Sequence, residues 1–497
     1  MIQGKVLPIR NIAWVYAISI LFIAVNALCI SQEWYYFMVV PFVLIVLAFG
    51  IFALDRLLLL TVFMVPLSIP LLELIPGVEF DMYLPTEPLL AGILILFIAK
   101  LLFDRSFDRK IVFHPVSIMI YLNVLWIFVT CITSTMPLVS FKFFIARLWF
   151  LASFYFLATQ LFRNQKNMMR FSWLYVLPLL IVIGYTLVRH FQFGLYNQEV
   201  ANFVPNPFYS DHTSYGAVLA MFFPVFFGFG LMRTYKPHIR IIIWTITATL
   251  LFAIVLSYTR ATWVSLIASL VFFILVLLGL RFRGVLILLG LAVIAFLYFR
   301  SDIMMNLKQN RQASSADISE HIQSISNITS DDSNMERLNR WYCAFRMFNE
   351  RPVFGWGPGT YMFTYAPFQF SYEKTLISTN AGDLGNAHSE YIGPLAESGL
   401  LGSVTFLLIV FSSLYTGMKV FRKTRKRELK ILSIVTLLGL VTYFIHGTMN
   451  NFLDTDKASA PFWGFIAILV ALDVYHLNAE NNTDKQTDVP VSGKEKQ

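Results

Sequence analysis

The sequence predicts an all-α polytopic membrane protein, and three observations carry that fold class. Of 497 residues, 57% are hydrophobic and only 13% charged, about half the charged fraction usual in soluble proteins; the mean hydropathy is +0.66. Apolar runs long enough to cross a bilayer recur along most of the chain. Lys and Arg gather in alternate connecting segments instead of spreading evenly.

Fourteen spans are expected, near 12–30, 35–54, 57–75, 88–103, 115–134, 141–162, 171–189, 213–232, 239–258, 261–280, 284–299, 400–419, 431–449 and 460–477. Pro66, Pro70 and Pro76 interrupt the third, and the fourth is short. The first run, Ile12–Ile30, has no small-residue cleavage site after it and reads as a span. Cys29, Cys131 and Cys343 are too scattered for a disulfide framework.

Orientation follows from the cations. With a cytoplasmic N-terminus, the inside segments hold clusters such as Arg163, Lys166 and Arg170, and seven Lys and Arg in "KVFRKTRKRELK" at 419–430. The short outside loops hold only Lys142, Arg260 and Lys457. Both termini are therefore expected inside. This placement accounts for the +9 net charge without a nucleic-acid partner. The large loop, 300–399, then lies outside the cytoplasm, where no nucleotide-activated donor is at hand. In it, 310–334 is polar, and Met335, Leu338, Trp341, Phe345 and Phe348 recur at helical spacing. The expected amphipathic helix lies on the membrane surface or over the spans and ends in the tight turns of "NERPVFGWGPGTY".

At the end of that loop stands "GNAHSEYIGPLAESGLLG", 385–402. His388 suits a general base at neutral pH, or equally a surface or helix-capping histidine. Ile392, Leu395, Gly399 and Gly402 form a stripe behind it, the glycines allowing close helix approach. Arg147 is expected about six residues into its span, roughly 9 Å deep, where an arginine is a functional hypothesis. Arg260, Arg189 and Lys142 stand at outer ends; snorkelling accounts for the last two. Outward cations in apolar walls suit phosphate. Asp211 and His212 mark another outer mouth, and Asp454 and Asp456 have metal-ligand spacing or the pattern of a helix N-cap. "GWGPG" follows no strand of a βαβ unit, so it is not read as a nucleotide loop.

His388-Ser389, nine residues, Gly399, two residues and Gly402 resemble the H-[NSQ]-x9-G-x-x-G signature of bacterial O-antigen ligases, lipid-linked O-oligosaccharyltransferases and O-antigen polymerases. "ERLNRWYCAFRMFNERPVFGWGPGTY" at 336–361 and "SYTRATW" at 257–263 look like two further segments of that family. The resemblance covers about 210–450 well.

It implies a GT-C-like membrane glycosyltransferase with about 12–14 spans. The implied division is N-terminal helices 1–209, a ligase-like domain 210–477 and a disordered cytoplasmic tail 478–497. The implied donor is a glycan on undecaprenyl diphosphate in the outer leaflet of the bacterial inner membrane. The acceptor is a lipid A–core sugar, with a second lipid-linked repeat unit or a protein hydroxyl as alternatives. In the implied mechanism His388 takes the acceptor proton and Glu390 or Glu397 orients it. Arg147 and Arg260, with Arg189 or Arg337, bind the diphosphate, and neither metal nor cofactor is needed. Transport is the less supported alternative, because discontinuous spans do not recur in matching halves.

Overall fold

The computed structural model describes residues 9–32, 34, 37, 40–75, 82–103, 107–195, 197–291, 294–295, 298, 332–374, 378 and 385–477. Of the expected polar stretch 310–334, residues 310–331 lie outside the described residues, as does the tail 478–497. Residues 1–57 form one compact unit and 58–497 the other. The first holds α1 (Ile9–Ser31) and α2 (Val40–Phe52).

Apolar runs close into helices because lipid offers the backbone no hydrogen-bond partner. Among the described residues, ten helices are long and apolar enough to span: α4 (Thr86–Phe103), α5 (Pro115–Ile132), α6 (Pro137–Leu161), α7 (Gln165–Phe193), α8 (His212–Leu231), α9 (Pro237–Leu256), α10 (Arg260–Leu277), α13 (Gly393–Lys423), α14 (Arg427–His446) and α15 (Asp456–Leu477). A shorter apolar helix, α11, covers Phe282–Leu291. The protein is a polytopic helical membrane protein. α8 packs on α9 and α14, α13 on α5 and α14, and α15 runs almost wholly buried through the middle.

The expected third span, 57–75, is not one helix. α3 (Leu54–Met64) gives way to a 3-10 turn at Val65–Leu67, which contains Pro66. Ile69–Pro70 then pairs antiparallel with Tyr83–Leu84. Proline withholds the N–H a continuing helix needs, and a buried ion pair uses the carbonyl groups released. Lys457 Nζ donates to Val65 O at 3.2 Å and Ser68 O at 2.9 Å. Asp456 accepts from the Ser68 and Thr86 hydroxyls at 2.7 and 2.5 Å. The helix N-cap falls within the expected 454–456 stretch, at Thr455, whose side chain makes no capping hydrogen bond. Lys457 is buried rather than exposed in an outer loop; removed from water, it holds Asp456 as its counter-ion.

The expected amphipathic helix is present as α12 (Asp332–Glu350), but its packed face differs. Arg340, Cys343, Ala344 and Met347 are buried, whereas Tyr342 and Phe345 are exposed. Cys343, Ala344 and Met347 pack with Tyr361, Tyr365, Ala387 and Ala396. An aromatic stripe turned outward is at home beside lipid, so hydrophobicity does not mark the inner face.

The basic segments and the large loop lie at opposite ends of α13. At its C-terminal end Lys419 pairs with Asp473 at 2.7 Å, and Asp473 also meets His114 at 3.2 Å. At its N-terminal end the helix bends at Gly399, where φ is +67 and ψ −169. The bend exposes backbone groups that the 352–357 turn takes up. Trp356 N donates to Ala396 O at 3.0 Å, Gly357 N to Glu397 O at 2.8 Å, and Leu400 N to Pro352 O at 3.0 Å. A Cβ on Gly399 would lie 2.0 Å from Val353 O. Gly399→Ala is expected to undock this turn and lower the thermal midpoint of the purified protein. A midpoint equal to that of wild type would refute that account.

Candidate active site

Three loops meet around the bend. The 385–392 loop is held between α13 and α14: Glu390 N donates to Gly447 O at 2.8 Å, Tyr391 OH to Phe444 O at 2.8 Å, and Ser403 Oγ to Tyr391 O at 2.6 Å. The Glu390 carboxylate reaches the loop after α14, accepting from Tyr443 OH at 2.7 Å, Phe452 N at 2.8 Å and Leu453 N at 2.9 Å. Glu397 accepts from Tyr361 N at 3.1 Å. Both carboxylates fasten neighbouring loops. Among the described residues neither is hydrogen-bonded to the His388 ring, so the expected orienting contact is not made.

A cavity of about 100 Å³ lies between these loops, lined by Arg147, Glu390, Glu397, Asn386, Asn451 and Asp454 among others. Arg147 stands ten residues beyond Pro137, the start of α6, hence about 15 Å along the helix. That is deeper than expected, because α6 begins before Phe141. Its guanidinium is 5.4 Å from the centre of the Phe143 ring and 6.0 Å from that of Trp463. Among the described residues no carboxylate pairs with it at salt-bridge distance, yet Glu390, Glu397 and Asp454 surround it electrostatically. Burial raises the Asp454 carboxyl and pushes Glu390 up to about 7, the Tyr443 hydrogen bond opposing the latter.

Ala387 and Ser389 line this cavity, and His388 between them does not. His388 is half-buried with φ +48, a left-handed backbone uncommon outside glycine. Its N–H donates to Asn386 Oδ1 at 3.0 Å. Burial, then the Arg337 and Arg340 charges, push the imidazole down to about 4, while Asp211 and Glu336 pull the other way. Its electrostatic surroundings therefore come from α12 and the mouth of α8. Asp211 caps α8, accepting from Thr213 N at 2.8 Å and Ser214 N at 2.7 Å. The hairpin bearing Arg260 docks there, with Thr259 Oγ donating to His212 O at 2.9 Å.

Of the sequence-identified residues, the structure thus gathers His388, Arg337 and the Arg260 hairpin in one region. Arg147, Glu390 and Glu397 belong to the adjoining cavity. Arg189 serves the 204–206 turn, donating to Val204 O at 3.3 Å and to Asn206 O. Asp454 faces the Arg147 cavity while Asp456 is tied to Ser68, so the pair points apart. Sequence reasoning passed over Arg340, which pairs with Glu336 at 2.7 Å and stacks 3.8 Å from the Tyr365 ring centre. Their spacing of four on a helical stretch was the available signal.

Residues 245–407 match the family model described as O-antigen ligase. This stretch of the chain is similar to the O-antigen ligase domain. The match spans the Arg260 hairpin, α12, the 352–360 turns and the whole His388 loop, ending within α13. A comparison with curated proteins gave no match. The match supports a glycan transferase of the ligase or polymerase type.

The raised Glu390 has a consequence for stability. Its folded pKa, about 7, exceeds the ordinary 4.5, so its contribution is present below pH 4.5 and is lost as pH rises through 7. Glu390→Gln removes that loss. The thermal midpoint of the variant minus that of wild type should rise between pH 5 and pH 8; a difference that falls would overturn the assignment.

Proposed function

We propose that this protein is an inverting glycosyltransferase that moves a glycan from undecaprenyl diphosphate to an acceptor hydroxyl. The acceptor is a lipid A–core sugar at the periplasmic face of the inner membrane, with both termini cytoplasmic. The observation that carries the reading is His388, held in left-handed backbone inside the matched segment and flanked by arginines. The basic loops at the far end of α13 support the orientation. A donor on that face must carry its own activation, and a glycosyl diphosphate does.

With its imidazole lowered to about 4, His388 is unprotonated at pH 7 but a weaker base than a free imidazole, so it takes the acceptor's proton only as the bond to the diphosphate breaks. The acceptor hydroxyl gives its proton to His388 and attacks the anomeric carbon as the bond to the diphosphate oxygen breaks. Arg260 and Arg337, with Arg340 behind, neutralise the charge gathering on the diphosphate. Arg147 offsets part of the negative charge of the three carboxyl groups lining the adjoining cavity, which eases the donor's approach. The arginines supply the stabilisation that a metal would otherwise give. If a second lipid-linked repeat unit replaced lipid A–core, the same chemistry would polymerise.

The test is release of undecaprenyl diphosphate by purified protein supplied with lipid-linked glycan and lipid A–core. His388→Ala should lower the rate by about 10²-fold or more while melting as wild type does; an unchanged rate rules out the role. Arg260→Ala, Arg337→Ala and Arg147→Ala should raise the donor KM, Lys142→Ala should leave it alone, and EDTA should not slow the reaction. Turnover with lipid-linked repeat units alone would assign a polymerase.

A further inference from the structure

At the basic end of the bundle, away from the His388 loop, a cavity of about 500 Å³ opens between α8, α10 and α14. Its walls are apolar, among them Phe223, Phe227, Leu270 and Phe273. Leu270 and Leu277, which also line it, are exposed, so the groove faces the surrounding lipid. The Ser269 hydroxyl inside is already bonded to Leu438 O at 3.1 Å. This leaves the interior without a polar demand that water would meet.

Charge appears only at one end. Arg427 and Lys430 complete the lining, and among the described residues no carboxylate lines it. Both side chains are exposed. Arg427 Nη2 makes one long bond, 3.3 Å, to Leu231 O, and Lys430 lies 5.0 Å from the Phe421 ring centre. Among the described residues neither belongs to a salt bridge. Glu428 between them accepts from Arg233 N at 2.9 Å and does not line the groove. An apolar slot ended by two cations without acidic partners has the polarity of an anionic amphiphile.

We propose that this groove binds an anionic diacyl phospholipid, one acyl chain against the phenylalanines and the phosphate between Arg427 and Lys430. Its place at the opposite end of the bundle separates it from the glycan-transfer site, and the inference stands without that reading. A cation beside an anionic headgroup contributes about five-fold in affinity, so the two together contribute about 25-fold.

Full-length protein is tested in detergent against phosphatidylglycerol and phosphatidylcholine, by native mass spectrometry of retained lipid and by thermal midpoint. One phosphatidylglycerol should be retained in preference to phosphatidylcholine and should stabilise the protein. Arg427→Gln with Lys430→Gln should weaken it about 25-fold. Leu270→Trp, which fills the groove without altering charge, should abolish retention. Arg233→Gln, equally basic but outside the lining, should retain lipid as wild type does. Equal loss in Arg233→Gln would reduce the effect to general surface charge and overturn the site. Retention unaffected by Leu270→Trp, or preference for undecaprenyl phosphate over phosphatidylglycerol, would overturn it too. Should the double variant fail to fold, Lys430→Gln alone and Leu270→Trp decide the matter.

Discussion

The bend at Gly399 is the constraint on which the site depends. A helix interrupted beside lipid must find new partners for its freed backbone groups, since no water supplies them. Here the partners are specific: Trp356 N and Gly357 N on the carbonyls of Ala396 and Glu397, Trp126 Nε1 on Ser398 O at 2.7 Å, and Pro352 O on Leu400 N. One left-handed residue therefore fastens the 352–357 turn to α13 and α13 to α5. Glu397, just before the bend, reaches Tyr361 N and extends the fastening to the next turn. Because α12 runs directly into that turn, its position over the bundle, and with it that of Arg337 and Arg340, follows from the same bend.

A second clamp works from the other side. The single Glu390 carboxylate binds Tyr443 of α14 and two amides of the following loop. The 385–392 loop thus cannot move without α14 and the 451–454 segment moving too. Between the two clamps the chain is held tightly enough to keep His388 at φ +48, a conformation that local energetics would release. The result is two electrically different compartments back to back. One offers arginines around a neutral imidazole. The other offers carboxyl groups around one guanidinium.

Much of this was legible in the sequence, for identifiable reasons. Spans declare themselves through length and apolarity, and the helix at 332–350 through its period. His388 and the Gly399–Gly402 spacing stood out through the family signature, which the match over 245–407 supports. What stayed hidden was long-range. The glycine pair reads as helix packing, but Gly399 answers to the carbonyl of Val353, and a Cβ on Gly402 would crowd Ser398 of its own helix. The outward aromatic face of α12 reads as inward because composition cannot tell lipid from core. Lys457 reads as a loop charge because its partners, Val65 and Ser68, are nearly four hundred positions away. Arg147 was found, but its neighbours were not: Asp454 comes from a segment with no sequence link to α6.

These hidden pairings share a logic with the visible charge pattern. Cations on the basic loops stay exposed and fix how the bundle sits; their number matters more than their exact sites. Buried charges behave oppositely, each requiring a particular partner. Lys457 has Asp456 and the carbonyls of a proline-broken segment, Arg340 has Glu336 and Tyr365, and Arg147 has the carboxyl groups of two loops. The Lys457 and Arg147 arrangements join elements far apart in the chain, and removing one partner of any of the three would strand the other in a medium that cannot solvate it. Ionic groups inside this bundle therefore specify which loops meet, while apolar packing alone would accept many neighbours. The bend at Gly399 supplies the backbone counterpart of the same rule. Unsatisfied polar groups, placed deliberately at one end of an otherwise permissive apolar bundle, select the single loop arrangement in which His388 is held.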